Sequence, residues 1–230
     1  MTARTVPLTP LTTLTIPLPS GGSISGMLQK PARPEACYVF AHGAGAGMTH
    51  AFMAAMAQGL AGRGIATLRF NFPFMEQGSK RADSPAIAHG AIRAAVAEAA
   101  RQLPDVPLFA GGKSYGGRMT TQAQAAEPLP GVQGIVLVGF PLHPAGKPST
   151  ERAVHLEGVK LPMLFLQGTR DALADIDLVT ETTKSVGKRA TLHIVEGADH
   201  AFHVLVRSGR TDAQVHEELL DTMTAWMTQR

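Results

Sequence analysis

The sequence predicts an α/β fold: a doubly wound, mostly parallel sheet with helices on both faces and no large cap domain. Three observations carry that expectation. Short continuous apolar runs at residues 134–139 and 162–167 have the length and content of strands buried on both faces, and Ala36–Ala41 and Ile65–Phe70 read as strands of similar length. Helix-compatible segments alternate with them, the rhythm of a parallel sheet. At 230 residues, 44% hydrophobic and 17% charged, the chain suits one well-buried domain over residues 1–230 and is too short for two of ordinary size.

The elements follow in order. Residues 11–18 and Ser23–Gln29 flank Pro19-Ser20-Gly21-Gly22, a hairpin signal, so two antiparallel strands open the sheet. Ala36–Ala41 is a buried strand ending at His42, followed by the glycine-rich Gly43-Ala44-Gly45-Ala46-Gly47 and a helix over residues 51–63. Strand Ile65–Phe70 leads into an aromatic loop, Asn71-Phe72-Pro73-Phe74-Met75. Ser84-Pro85 has cap and first-turn chemistry and opens a long helix with Ile87, Ala91, Ile92, Ala95, Val96 and Ala99 on one face. After the apolar run 106–110 and its helix come strands 134–139 and 162–167, separated by a polar, Pro- and Gly-rich loop over residues 140–160. A helix near 174–186, strand Ala190–Val195 and a closing helix over residues 212–227 complete the chain, with Val215, Leu219, Met223 and Trp226 on one stripe of the last.

Composition narrows the function classes. The net charge of +3 is spread over scattered Lys and Arg with no run of five, so no nucleic-acid-binding face is expected. Cys37 is the single cysteine and lies in an apolar run; it has no internal partner, which favours a reducing compartment. Pro7, Pro10 and Pro17 interrupt residues 1–18, so neither a secretory segment nor a membrane span is expected, and the cytoplasm is the expected location.

One stretch carries chemistry: Gly111-Gly112-Lys113-Ser114-Tyr115-Gly116-Gly117-Arg118. It follows an apolar run and precedes a helix-compatible segment, so Gly112-x-Ser114-x-Gly116 lies on a strand-to-helix turn, the context in which a nucleophile elbow forms. Such a turn strains the serine backbone, and residues two before and two after it collide unless they are glycine. Two further loops follow strand ends: Gly168-Thr169-Arg170-Asp171 and Glu196-Gly197-Ala198-Asp199-His200. Residues just past the carboxyl ends of parallel strands gather along one edge of the sheet, which assembles Ser114, Asp171 and His200 as nucleophile, acid and base. Asp175 and Asp177 lie close enough to Asp171 for either to be the acid instead.

The loop after the third strand, His42-Gly43-Ala44-Gly45, offers the backbone N–H of Ala44, or of Gly45, to join that of Tyr115 in an oxyanion hole. His42 orders this loop rather than ionising. Residues 140–160 are too short and polar for a helical cap, so the expected pocket is open and shallow. His42, Gly43 and Lys113 border it, with walls from Phe72, Phe74, Met75, Tyr115, Phe140 and Leu142. Lys113, Arg118, Lys80 and Arg81 are candidates to ring it with positive charge. His200 and His203 lack a third ligand at a matching spacing, and His216-Glu217-Glu218 lacks the second histidine of a zinc-protease motif, so no metal is expected and the latter reads as a solvated face.

These motifs resemble the α/β-hydrolases, and among them the lidless dienelactone-hydrolase-like group. The closer resemblance is to a small family of testis-expressed hydrolase-like proteins and the hydrolase-like domain of an NSL chromatin-complex subunit. It is carried by His42-Gly43-Ala44-Gly45-Ala46-Gly47-Met48, Arg69-Phe70-Asn71-Phe72-Pro73-Phe74, Gly112-Lys113-Ser114-Tyr115-Gly116-Gly117-Arg118, Gly168-Thr169-Arg170-Asp171 and Gly197-Ala198-Asp199-His200, and covers nearly the whole chain after about residue 20. The resemblance implies a serine hydrolase fold and triad. Dienelactone hydrolases have a cysteine nucleophile where this chain has Ser114, so their substrate does not carry over. The expected activity is cleavage of a small carboxylic ester, thioester or related acyl bond on a small-molecule substrate, with no cofactor. Some members of the closer family act as scaffolds, so a non-catalytic binding module is the alternative.

Overall fold

The computed structural model describes residues 9–229; the expectations for the first eight residues, Pro7 among them, lie outside it. Eight strands form one sheet: β1 (Thr12–Pro17), β2 (Ser23–Gln29), β3 (Ala36–Ala41), β4 (Ile65–Phe70), β5 (Leu108–Lys113), β6 (Val132–Val138), β7 (Met163–Gly168) and β8 (Ala190–Val195). Their spatial order is β1-β2-β4-β3-β5-β6-β7-β8. The β1–β2 and β2–β4 pairs are antiparallel, and the others are parallel. The helices are α1 (Ala51–Gly62), α2 (Pro73–Glu76), α3 (Pro85–Gln102), α4 (Tyr115–Ala126), α5 (Ile176–Val186) and α6 (Asp212–Thr228).

Both faces of the sheet are covered, as the unbroken apolar runs require. Alternate residues of each central strand point to opposite faces. Cys37, Val39, Ala110, Ile135 and Phe165 pack with α3, α4 and α5, while Tyr38, Phe40, Phe109, Val136 and Leu164 pack with α1 and α6. Burying one such Phe, Leu or Val contributes about 1.5–3 kcal/mol. The Tyr38 hydroxyl enters this core with a partner, donating to the Val136 carbonyl at 2.9 Å.

The winding also places the site. From β3 the chain first crosses to β4 on one side of it, then returns to β5 on the other. The connections therefore diverge at the carboxyl ends of β3 and β5, opening a crevice at the loop after β3 and the turn after β5.

Two expected loops carry short helices. The aromatic segment contains α2, because Pro73 stands at its first position with its angle pre-set for helix. Between β6 and β7, residues 151–158 form a 3-10 helix that packs on α4 and buries Ala153 and Leu156. That segment is also tied down further on. The His143 amide donates to Leu173 O at 2.9 Å, and the His143 ring accepts from the Asp175 amide at 2.8 Å. No cap rises from it. Helix α5 starts at Ile176 rather than near 174, because the Asp175 carboxylate caps it by accepting from the amides of Asp177 and Leu178. Among the described residues, no helix is long and apolar enough to cross a membrane.

The 3-10 helix brings a pH dependence. His155 meets the Thr121 hydroxyl at 2.8 Å. Burial, reinforced by Arg118 and His89, lowers its pKa from 6.5 to about 4. The unfolded chain therefore binds a proton between these values that the folded chain refuses, and stability falls as pH drops through that window. Burial shifts His42 and His89 in the same direction. Thermal unfolding followed from pH 7.5 to 4.5 should show Tm falling below about pH 6.5, with a shallower slope in His155→Gln. An equal slope in that variant would remove His155 as a cause.

Candidate active site

The site begins with a backbone that most residues avoid. Ser114 has φ 50° and ψ −116°, and only Phe202 shares a positive φ among the described non-glycine residues. Such a conformation costs on the order of 1–3 kcal/mol and persists only where its surroundings hold it. Here they do. The Ser114 amide donates to Val138 O at 3.1 Å, and the turn is pressed against the end of β3. A Cβ on Gly112 would lie 2.5 Å from Ala41 O, and one on Gly116 only 2.6 Å from the carbonyl oxygens of Ala41 and His42. The strand runs on to Lys113 before the chain turns straight into α4.

His200 reaches Ser114 from the loop after β8. Its Nε2 is 2.8 Å from Ser114 Oγ and its Nδ1 is 2.7 Å from Asp171 Oδ2. A carboxylate only accepts, so Nδ1 carries the proton and Nε2 accepts from the serine hydroxyl. Asp171 sits just past β7 with its side chain 1% exposed. Its Oδ2 also accepts from Gln167 Nε2 at 2.6 Å, and its Oδ1 from the Leu173 amide at 2.8 Å. Of the three aspartates, Asp171 faces the histidine, Asp175 is the cap of α5 and Asp177 is exposed.

His42 is buried at the end of β3. Its Nε2 accepts from the Phe72 amide at 3.1 Å, so its Nδ1 donates to Gly43 O at 2.7 Å. Burial lowers its pKa, keeping the ring neutral. The histidine thus fastens the start of the glycine-rich loop to the segment after β4. Ala44 of that loop lines the cavity beside Ser114. The Tyr115 N–H, at the first position of α4, has no intrahelical acceptor to satisfy it.

A cavity of about 510 Å³ opens over Ser114 and His200. Of the expected border residues, Gly43 and Lys113 line it. His42, Phe72, Phe74 and Phe140 do not: all four are buried below it. The reason is packing. Phe72 and Phe74 flank Pro73, whose helical turn folds them against His42 and the Tyr115 ring, and Phe140 packs edge-on to Phe165 at 5.9 Å. Tyr115 and Leu142 are buried too, the Tyr115 hydroxyl donating to Asp83 O at 2.9 Å. The walls come instead from Ala46, His50, Phe52, Met53, Leu173 and Ala201. Phe52 and Met53 lie in the first turn of α1, a few residues past the glycine-rich loop, and Leu173 follows Asp171 by two; nearness to the motifs was their only signal. A larger concavity of about 690 Å³ lies between β1 and α3, lined by residues such as Ile16, Arg93 and Arg101, away from Ser114.

Other candidates scatter. Of the four cations expected around the site only Lys113 lines the cavity; Lys80 and Arg81 are exposed, and Arg118 is half-buried along α4. His203 pairs with Asp212 at 2.9 Å. The His216-Glu217-Glu218 face is not simply solvated. His216 packs edge-on to Phe52 at 5.4 Å, Glu217 holds Arg63 at 2.6 Å, and Glu218 accepts from His193 at 2.7 Å and from Arg210. Among the described residues, no group of three or more His, Cys, Asp or Glu is arranged to hold a metal.

A family model described as an alpha/beta hydrolase domain matches residues 34–228. Among solved structures, the chain is similar to a serine hydrolase without lid from Xanthomonas campestris (22% identity, 96% of this chain and 98% of that one, TM-score 0.74). It is also similar to a dienelactone hydrolase from Anabaena variabilis (18% identity, 96% and 97%, TM-score 0.74) and to an esterase domain from Rhodothermus marinus (16% identity, 96% and 99%, TM-score 0.73). At these identities the likeness establishes the fold.

The close approach of the turn to β3 has a direct test. Gly116→Ala should destabilise the protein by about 3 kcal/mol, the upper end for overpacking, in urea unfolding, since both opposing atoms are backbone. A variant within about 1 kcal/mol of the native protein would contradict that approach.

Proposed function

Because the chain belongs to the alpha/beta hydrolase domain family, we propose that it is a serine hydrolase cleaving a small carboxylic ester, thioester or related acyl bond. The observation that carries this reading is the Ser114 hydroxyl 2.8 Å from a histidine nitrogen whose other nitrogen is held by a buried carboxylate. A binding module has no physical need for a strained serine so partnered.

In this mechanism His200 Nε2 takes the hydroxyl proton as Ser114 Oγ attacks the acyl carbon. Asp171 holds the tautomer and stabilises the imidazolium that forms. The charge on the tetrahedral oxygen falls to the N–H groups of Tyr115 and of Ala44 or Gly45, each donor contributing about 3–4 kcal/mol. Collapse returns the proton from His200 to the departing alcohol or thiol and leaves an acyl group on Ser114. Water, deprotonated by the same histidine, then releases the acid.

Fluorophosphonate labelling tests the reading: the native protein should label at Ser114 and Ser114→Ala should not. A folded native protein that stays unlabelled would point to the scaffold alternative. Asp171→Asn should lower kcat by about 10⁴-fold through loss of the tautomer, while Asp175→Asn should keep near-native turnover. A severe loss in the latter would move the acid to the cap of α5.

Acyl preference follows from the missing cap. The segment between β6 and β7 lies against α4 and the start of α5, so among the described residues no cap covers an acyl chain beyond Phe52, Met53 and Leu173. A methylene contributes about 0.8 kcal/mol only while buried. p-Nitrophenyl acetate and butyrate should therefore give higher kcat/KM than the palmitate ester. A kcat/KM that climbs steadily from C2 to C16 would overturn this.

A further inference from the structure

Lys113 has no role in the mechanism above, yet it is placed at some expense. It is the last residue of β5, directly before Ser114, and it is half-buried where it lines the cavity. Burial lowers its pKa to about 8, against the pull of Asp171 and Asp199 in the other direction, so it is still cationic at neutral pH. An apolar side chain of the same length would fill this space without the cost of desolvating a charge.

The ammonium is held by a specific set of contacts. It donates to the backbone carbonyl of His200 and stands 5.3 Å from the centre of the Phe202 ring. On its far side is Gly139, at φ 67°, where an added Cβ would come within 3.0 Å of Nζ and 3.6 Å of the His200 ring. The His200 loop is tied to the turn after β7, where the Arg170 amide donates to Ala198 O at 2.9 Å and the Gly197 amide donates to Thr169 Oγ1 at 2.8 Å. It turns through Phe202 at φ 65°, and Asp199 braces it locally by accepting from the amides of Ala201 and His203. Those bonds shape the loop, but none of them ties it to the strand that carries the nucleophile. Among the described residues, the Lys113 ammonium alone bonds the His200 carbonyl.

We propose that Lys113 is a positioning residue: by holding the His200 carbonyl from the position next to Ser114, it sets the distance between imidazole and serine hydroxyl. This rests on the reading of Ser114 and His200 as nucleophile and base. Two readouts separate it from a merely structural role. The first is the split between kcat and KM for p-nitrophenyl acetate. The second is the low-field proton resonance expected for His200 Nδ1–H bonded to Asp171.

In folded Lys113→Met, kcat should fall about 10–100-fold, the size found for outer-shell groups that orient metal-bound imidazoles. KM should stay within about twofold, and the low-field resonance should broaden or vanish. Lys113→Arg, which keeps a cationic donor, should recover most of both signals. Native kcat with the resonance intact in Lys113→Met would overturn the proposal, as would a folded Lys113→Arg no better than Lys113→Met. Should Lys113→Met fail to fold, Lys113→Gln is too short to reach the carbonyl and is judged by the same two signals. If the native protein neither turns over esters nor labels with fluorophosphonate, the hydrolase reading fails, and the resonance alone still decides whether Lys113 positions His200.

Discussion

The rest of the site depends on one close approach, that of the Ser114 turn to the end of β3. Ala41 O lies where a side chain on Gly112 or Gly116 would have to go, so the two segments are in backbone contact. That contact holds Ser114 at φ 50° and starts α4 with no intervening loop. It also sets the glycine-rich loop after β3 beside the first N–H groups of α4. The strained serine and the candidate oxyanion donors are thus products of the same packing event. The strain at Ser114 is small against the burial of β3 and β5, whose residues are almost all inaccessible to solvent.

Histidines and aspartates at the sheet edge divide the labour. His42 and His200 both sit past strand ends, but their surroundings give them opposite duties. His42 is buried, bonded through both nitrogens to backbone and kept neutral by burial. His200 faces a carboxylate on one side and a hydroxyl on the other, with its side chain 27% exposed to the cavity. The aspartates split likewise. Asp171 is buried and aimed at an imidazole, Asp175 caps a helix, and Asp199 braces the turn that carries His200.

Much of this was legible in the chain before folding. Ala36–Ala41 and Ile65–Phe70 are strands to the residue: the first is a run of six residues without a charge, and the second, though it carries Thr67 and Arg69, is bounded by Gly64 and by Asn71 ahead of Pro73. The three loop motifs were legible for a related reason: Gly112, Gly116 and Gly168 stand where a side chain would meet backbone, and Gly197 where φ is 75°. The short helix at Pro73 and the 3-10 turn at 151–158 were harder to see. Each is under three turns long, and its stability comes from packing on neighbours rather than from its own periodicity.

What the sequence determined by itself is the alternation of strands and helices, the strained serine turn and the set of residues able to do the chemistry. These are local properties, written in apolar spacing and in glycines around one serine. Only the tertiary structure decided which aspartate meets His200, since Asp171, Asp175 and Asp177 differ by less than two helical turns along the chain and entirely in what lies opposite. The pocket wall was decided the same way. Phe72, Phe74 and Phe140 have the chemistry of a wall, yet they are core, because Pro73 turns two of them under the elbow and Phe165 receives the third. Whether an aromatic side chain faces substrate or neighbour depends on the direction of the backbone that carries it, and that direction is set by contacts distant in sequence.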